Sequence, residues 1–333
     1  SPSNIALLPG SSWELVTTMP ISGGIFFTGL TWANDVLVCA TSERCYCILV
    51  TTPSRDSEMT TRIIQANGTA CVSPNGSYVV AMQDDRQTLG VYEISSAAMV
   101  SSIDVGDVFL VTMSLDGNLI AVFGAESTTR SPGVRVYDTQ RSSEVCCVWT
   151  AAAIGSEGFC QSLGGVAFSP DSKYVLAGCL AQGVAVFYAS TGEEVCRVAD
   201  PVEGNPGVVA CVAWAPSGKY ISVTWGCLKT VDIYSFIDPF DFSLGAALHR
   251  RLGPVHPMFA THVANARFSP DGRHLASGSQ KGDLKVWNVE DGELVADFIP
   301  ETPEPENEVN NWLKQIAWAP DGRGLVFTSD RGD

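Results

Sequence analysis

Long apolar runs are missing from this sequence. No stretch approaches the roughly 18 to 20 apolar residues that cross a bilayer as a helix. No basic segment followed by an apolar one opens the chain, as a secretory signal would. The first residue is Ser rather than Met, as is expected of a processed N-terminus or of a piece cut from a longer chain. We therefore predict no helical membrane span.

Positive charge is scarce in the sequence. Twenty Lys and Arg stand against 36 Asp and Glu, so the formal net charge is −16 at pH 7. A field of this sign repels phosphate backbones and anionic lipids, and it attracts basic surfaces. We therefore expect the partner to be a protein or a basic peptide rather than a nucleic acid, and a multiprotein complex fits this expectation.

Residues that carry chemistry are few or lack a pattern. Of the four His, His256 and His262 are the closest pair of suitable spacing, six residues apart in a predicted loop. Cys45 and Cys47 alternate with Tyr46 and lack the second ligand pair of a structural zinc site. Phosphate-binding Gly loops before helices and Ser nucleophile elbows are also missing. We predict no catalytic residue, no metal and no cofactor.

The eleven Cys are an odd number, and most lie inside apolar runs that look like strands. Cys39 in "VLVCA", Cys179 in "VLAGC" and Cys211 in "VVACVAW" are examples. Free thiols in such runs behave as small core hydrophobes and are typical of a reducing compartment. We expect an intracellular protein, cytoplasmic or nuclear.

What the sequence does contain is a repeat. A short apolar stretch followed by a turn recurs seven times, as in "VAFSPDS", "ARFSPDG" and "IAWAPDG". The residue before the Asp, Asn or Ser of each turn is Asn34, Pro74, Leu115, Pro170, Pro216, Pro270 and Pro320. The spacing is near 40 residues at first and longer later in the chain, which indicates one structural unit repeated with insertions.

Each repeat reads as four short strands. A Val- and Ile-rich segment follows each turn, as in "YVVAM" and "LIAVFG", and a third segment ends near an aromatic residue, as in "GVRVYD" and "LKVWN". Segments of four to six β-branched and aromatic residues bounded by Gly, Asp or Ser favour strands over helices. Seven units of four antiparallel strands describe an all-β, seven-bladed β-propeller.

The sixth unit carries the pattern most completely, with "FSPDG", "LASGS", "LKVWN" and "GEL" between residues 268 and 294. This pattern resembles the WD-repeat β-propeller family, and the resemblance extends over essentially the whole chain. No unit keeps an intact Gly-His pair before its first strand, and the terminal Trp-Asp appears only as Tyr137-Asp138, Trp287-Asn288 or looser forms. We therefore expect the family's buried Ser/Thr-His-Asp-Trp hydrogen-bond network to be mostly absent.

The seventh unit is incomplete at the C-terminus, since it supplies only two strands before the chain stops. A gap-free alignment of "IALLPGSSWELV" (5–16) with "LKVWNVEDGELV" (284–295) offers the missing half. We predict that residues 4–18 pair with residues 313–330 to form the closing blade. The whole chain, 1–333, would then be a single propeller domain.

Insertions between the repeats supply the candidate partner-binding residues. Residues 299–312, "IPETPEPENEVNNW", are rich in Glu and Pro. There Glu304, Glu306 and Glu308 would meet basic groups, and Trp312 would add an apolar or cation–π contact. A plain solvated acidic loop is the alternative for this segment.

A second insertion, residues 236–259, adds Phe240 and Phe242, which would either dock a partner or fold back on the core. His262 completes the predicted partner-binding set.

Two function classes remain open at this point. The resemblance implies a non-catalytic interaction scaffold that binds a partner through loops on one propeller face, as a subunit of a larger complex. The alternative is an enzyme or small-molecule binder that uses the central channel. An enzyme would need His, Asp or Glu side chains converging there, and few acidic residues fall in the predicted first strands.

Overall fold

The structure is a computed structural model, and it describes the strands together with many of the turns. The described residues are 3–9, 17–21, 27–33, 36–41, 45–49, 60–64, 70–73, 76–83, 85, 87–125, 132–150, 165–179, 183–199, 209–225, 230–238, 241–253, 263–279, 283–298 and 313–329.

These residues form strands and one short 3-10 helix. In the first half of the chain the strands are β1 (Ser3–Pro9), β2 (Thr17–Ile21), β3 (Phe27–Ala33), β4 (Val36–Thr41), β5 (Cys45–Leu49), β6 (Thr60–Ile64), β7 (Ala70–Val72), β8 (Tyr78–Met82), β9 (Thr88–Glu93), β10 (Met99–Asp104), β11 (Asp107–Met113), β12 (Leu119–Ala125), β13 (Pro132–Asp138) and β14 (Ser143–Thr150). The second half contains β15 (Gly165–Phe168), β16 (Tyr174–Cys179), β17 (Gly183–Tyr188), β18 (Glu194–Ala199), β19 (Val209–Trp214), β20 (Tyr220–Trp225), β21 (Val231–Phe236), the 3-10 helix Phe242–Leu244, β22 (Ala246–Leu252), β23 (Val263–Phe268), β24 (His274–Ser279), β25 (Leu284–Asn288), β26 (Leu294–Phe298), β27 (Leu313–Trp318) and β28 (Gly324–Ser329). In the described part of the chain no helix is long and apolar enough to span a bilayer.

The strands make seven four-stranded antiparallel sheets among the described residues. We call them blades 1 to 6 in chain order, from β3–β6 to β23–β26, and blade 7 contains β27, β28, β1 and β2. The first strand of each blade contacts the first strand of the next, and β27 contacts β3. The prediction of an all-β propeller with four-stranded antiparallel blades is confirmed.

Two faces follow from this topology. The turns from first to second and from third to fourth strand lie at one face, which we call the turn face. The first strands begin at the opposite face, which we call the strand-start face. At the turn face the Asp-Gly turns reverse the chain tightly, and Gly272 in blade 6 has a φ of 70°, a left-handed value that a side chain would strain.

Blade 7 takes strands from both ends of the chain. Its order is β2-β1-β28-β27. Leu7 pairs with Val326 and Leu8 with Leu325, just as Val286 pairs with Ala276 and Trp287 with Leu275 in blade 6. This is the register of the gap-free alignment. Strand β2 continues to Ile21, and residues 13–16, which we also predicted as strand, lie outside the described residues.

The core lies between neighbouring blades. One cluster joins blades 3 and 4 through side chains such as Phe123, Val136 and Phe187, all at most 2% exposed. A second joins blades 4 and 5 around Trp225, which is 1% exposed. Because these β-branched and aromatic side chains fill the space between two sheets, blade 4 is stabilised by both its neighbours.

Part of the family's hydrogen-bond network survives in blade 6. Trp287 Nε1 donates to Ser277 Oγ at 2.9 Å between two buried side chains. Ser279 Oγ donates to the buried Asp283 carboxylate at 3.1 Å. The expectation that the network is mostly absent thus needs a correction for this blade, because Ser277, Ser279 and Asp283 supply partners although no Gly-His pair precedes the strands.

Candidate interaction surfaces

Most of the predicted partner-binding residues fall outside the described residues. They are Glu304, Glu306, Glu308, Trp312, Phe240 and His262. The described strands show what flanks them. Strand β26 of blade 6 ends at Phe298 and β27 of blade 7 begins at Leu313, so the acidic segment connects two strand ends that belong to the strand-start face. His262 directly precedes β23 of blade 6 in the sequence.

Phe242 does not belong to an exposed docking surface. It lies in the 3-10 helix between β21 and β22, and its residue is 8% exposed. Its ring centroid lies 4.3 Å from that of Phe236, 4.9 Å from that of Tyr174 and 5.4 Å from that of Trp214. The partner-binding role predicted for Phe242 is therefore corrected. The ring is buried because residues of blades 4 and 5 together form an aromatic pocket for it.

The same insertion does expose two other apolar residues. Ile237 is 65% exposed and Leu244 is 54% exposed. Asp241 caps the 3-10 helix that contains Leu244 by accepting a hydrogen bond from the Ser243 backbone N–H at 3.0 Å. Sequence reasoning selected the larger aromatic residues of this insertion and missed these two.

The turn face is built from a repeated hydrogen-bonded turn. In blades 3, 4 and 6 a Ser Oγ donates to an Asp Oδ1 two residues later at 2.6 Å. The pairs are Ser114–Asp116, Ser169–Asp171 and Ser269–Asp271. The same Ser oxygen accepts the backbone N–H five residues later, at 2.9 to 3.0 Å. Blades 5 and 7 have Ala215 and Ala319 at the Ser position, so they keep the backbone bonds of the turn but lack the bond from Ser to Asp.

In two of these turns, those of Asp116 and Asp271, the surroundings favour the ionised carboxylate. Burial raises the pKa of Asp271, but hydrogen bonds from Ser269 and the Arg273 backbone outweigh it, so the pKa lies below its usual value. For Asp116, burial likewise raises the pKa, and hydrogen bonds from Ser114 and Asn118 lower it further than burial raises it. The turn face therefore presents fixed negative charges at neutral pH.

One cavity opens on the turn face between blades 2 and 3, with a volume of about 250 Å³. Tyr78, Val91, Val100 and Met113 supply its apolar walls, and Asp116 and Gln140 are among its polar residues. Tyr78 is 37% exposed and Val100 is 55% exposed, so the rim is accessible. The described lining includes a carboxylate and no basic side chain.

Buried ion pairs join third to fourth strands rather than forming a reactive site. Asp232, which is 1% exposed, receives two hydrogen bonds from Arg251, at 2.6 and 2.9 Å. Lys285 pairs with Asp297 at the corresponding place in blade 6. Each pair spans neighbouring strands of a single blade, which gives these charges a structural role.

Three of the described thiols, those of Cys71, Cys146 and Cys196, are poor nucleophiles. Burial raises the pKa of Cys71 to about 12. Burial, with nearby negative charges as lesser causes, raises the pKa of Cys146 and of Cys196 to about 11. These three thiols and that of the buried Cys211 form no disulfide. At neutral pH the three thiols with raised pKa stay protonated, and a protonated thiol reacts slowly.

Metal chemistry finds no support in the described part of the chain, where no group of three or more His, Cys, Asp or Glu side chains could hold an ion. What this part offers is a surface with fixed carboxylates, exposed apolar residues and one open cavity. Such a surface can bind a partner by shape and charge.

Comparison with known proteins finds a match to WD repeats. A family model described as "WD domain, G-beta repeat" matches residues 254–288. Minichromosome loss protein 1 of Schizosaccharomyces pombe is 23% identical over 226 residues, which cover 67% of this chain and 24% of that protein. Human apoptotic protease-activating factor 1 is 34% identical over 75 residues, 22% of this chain and 6% of that protein.

Protein HIR1 of Kluyveromyces lactis is 35% identical over 75 residues, which cover 20% of this chain and 9% of that protein. The chain thus spans a quarter or less of the length of these relatives. None of the three names is that of an enzyme.

Proposed function

We propose that this chain, which is a WD-repeat protein, acts as a non-catalytic scaffold that binds a basic segment of a partner protein within a larger complex. Membership of the WD-repeat class supports a protein as the partner. The choice of a basic segment of that protein rests on charge. The observation that carries it is the acidic segment 299–312 between β26 and β27, in a chain of net charge −16.

The acidic segment is well placed for capture. In the chain, Glu304, Glu306 and Glu308 lie between β26 of blade 6 and β27 of blade 7, and each of these two strands is paired within its own sheet. Fixed ends reduce the conformational entropy that a binding segment loses when it meets its partner. Lys or Arg residues of the partner would pair with the three carboxylates, and Trp312 would contact their aliphatic stems.

The proposal also covers location and chemistry. Free thiols at Cys71, Cys146, Cys196 and Cys211 support a reducing compartment, and we propose the cytoplasm or the nucleus. An enzyme in the central channel stays the alternative, and no cluster in the described part of the chain favours it.

The test replaces Glu304, Glu306 and Glu308 together with Gln. Partners captured from the native source by the tagged full chain should be depleted by this variant and should elute at lower salt, because fewer ionic contacts hold them. The matched control neutralises three exposed acids elsewhere, Asp104→Asn, Glu193→Gln and Asp291→Asn, and should retain the partners. Equal capture by both variants would assign the segment to plain solvation.

A further inference from the structure

The cavity between blades 2 and 3 has counterparts between other blades, because the repeat places equivalent residues in the same register. Backbone hydrogen bonds define the equivalence. The Thr139 N–H donates to the Asn118 carbonyl in blade 3 as the Val289 N–H donates to the Arg273 carbonyl in blade 6. Gln140 in the cavity therefore occupies the position that Glu290 occupies in the groove between blades 5 and 6.

The groove between blades 5 and 6 is filled by an arginine of the chain itself. Arg250 donates from Nη2 to the Glu290 carbonyl at 2.8 Å. Its aliphatic stem lies against Gly292, where an added Cβ would come within 2.6 Å of Arg250 Cδ. Tyr220 closes the groove by donating to the Glu290 carboxylate at 3.1 Å. The chain thus shows how this type of groove accommodates a guanidinium.

Two other grooves are filled in different ways. Phe242 fills the groove between blades 4 and 5, against Tyr174 and Trp214. Between blades 3 and 4, Cys146 contacts the next blade by donating from Sγ to the Ala189 carbonyl at 3.3 Å.

Blade 2 carries a small residue at the filling position. Ser101 pairs with Val91 next to a bulge in β10, as Arg250 pairs with Ile233 next to a bulge in β22. Ser101 Oγ donates to the Thr139 carbonyl at 3.2 Å and leaves the space open. The strand registers place Ser101, Cys146 and Arg250 at equivalent positions of blades 2, 3 and 5.

We propose that the cavity between blades 2 and 3 binds the side chain of an arginine from a partner protein. The Asp116 carboxylate supplies the counter-charge. Gln140 occupies the position of Glu290, whose backbone carbonyl accepts the hydrogen bond from Arg250. Tyr78, the counterpart of Tyr220, offers a ring face at the rim for a cation–π contact. Val91 and Met113 line the space for the aliphatic stem.

This inference rests on the proposed function for the idea of a basic partner, but it concerns a different face. The acidic segment joins strand ends of the strand-start face, whereas the cavity opens on the turn face. Small probes test the cavity alone, so a negative result with them does not contradict the proposed role of the acidic segment. Likewise, a negative result for the acidic segment does not contradict the proposal for the cavity.

The experiment is a methyl NMR titration of the full chain labelled at the Met methyl groups. Met113 lines the cavity, and Met82, a buried residue that does not line it, is the internal control. The probes are N-acetyl-arginine amide, its lysine counterpart and its neutral isostere N-acetyl-citrulline amide. We expect the arginine probe to shift the Met113 signal saturably, with a weaker response to lysine and none to citrulline.

Three variants sharpen the result. Ser101→Arg should fill the cavity from within, as Arg250 does, and abolish the Met113 response while the Met82 signal persists. Gln140→Glu should strengthen binding several-fold, and Asp116→Asn should weaken it about tenfold, the effect of one charge-assisted hydrogen bond. Asp171→Asn, the same turn position in blade 4, is the matched control and should bind as the parent does.

Equal shifts with arginine and citrulline would overturn the proposal, and so would a response that survives Ser101→Arg. An equal response to lysine would assign the cavity to cations in general and overturn the choice of arginine. If Asp116→Asn fails to fold, the Ser101→Arg and citrulline results still decide.

Discussion

Phe242 illustrates how much one side chain contributes when two blades share it. Its ring fills the space between Tyr174 of blade 4 and Trp214 of blade 5. We expect Phe242→Ala to lower the free energy of unfolding by about 3 to 5 kcal/mol, the usual cost of removing a buried aromatic ring. Urea denaturation followed by Trp fluorescence measures this loss.

Leu244→Ala is the matched control for Phe242→Ala. Leu244 lies in the same 3-10 helix but is 54% exposed, so its removal should change the stability by no more than about 0.5 kcal/mol. Similar losses for both variants would mean that the insertion, rather than the buried ring, sets the stability.

At this scale the sequence predicts which residues are apolar but not which of them face a neighbour. The aromatic residues that bury Phe242 come from positions 174, 214 and 236, which only the folded blades bring together. The local sequence pattern is therefore compatible with both an exposed docking role and a buried position for Phe242. The tertiary contacts show that it is buried.

At the scale of the element, the Ser–Asp turn links stability to pH. The pKa of Asp271 is lower in the fold than in the unfolded chain, so its ionised form stabilises the fold at pH values above its ordinary pKa of about 3.9. This contribution is lost as the pH falls below that value. We expect Asp271→Asn to be less stable than the parent at pH 7, with the difference shrinking in acid.

Urea midpoints measured from pH 7 down to the acid limit of reversible folding test this expectation. Asp104→Asn is the control, because Asp104 is exposed on β10 and belongs to no Ser–Asp turn. A difference between Asp271→Asn and the parent that stays constant with pH would contradict the link.

The turns are the part of the fold that the sequence predicts best. Asp-Gly and Ser-Pro favour turns through local backbone preferences. The segment "SPDG" at 269–272 therefore predicts both the turn and the strands on either side of it. The Trp287–Ser277 hydrogen bond was harder to predict, because it joins two strands. The sequence also lacks the Gly-His pair that usually accompanies such a bond in this type of repeat.

At the scale of the whole molecule, blade 7 depends on residues from both ends of the chain. Deleting residues 1–21 removes β1 and β2 and leaves β28 with an unpaired edge. We expect this deletion to abolish a single cooperative unfolding transition and to promote association. Differential scanning calorimetry with light scattering measures both effects.

A shorter deletion provides the control. Removing residues 1 and 2, which precede β1, should leave the transition unchanged. A 1–21 deletion that melts like the parent would contradict the dependence of blade 7 on the N-terminal strands.

The number of repeats could be predicted at this scale because seven turns recur along the sequence. The gap-free alignment also predicted the register of Leu7 and Leu8 against β28, since blade 6 offered a complete template. The cavity between blades 2 and 3 was not predicted. It arises from the absence of a large side chain at Ser101, and such an absence has meaning only when two packed blades are compared.

The pairing of β1 with β28 also determines how the ring responds to force. Asn4 lies opposite Ser329, so the outer ends of the two strands meet at one corner of blade 7. Tension applied to Asn4 and Ser329 would break the backbone hydrogen bonds between β1 and β28 one after another, starting from that corner. The propeller would therefore open at this seam under a small pull, whereas the same number of bonds loaded in shear would resist together.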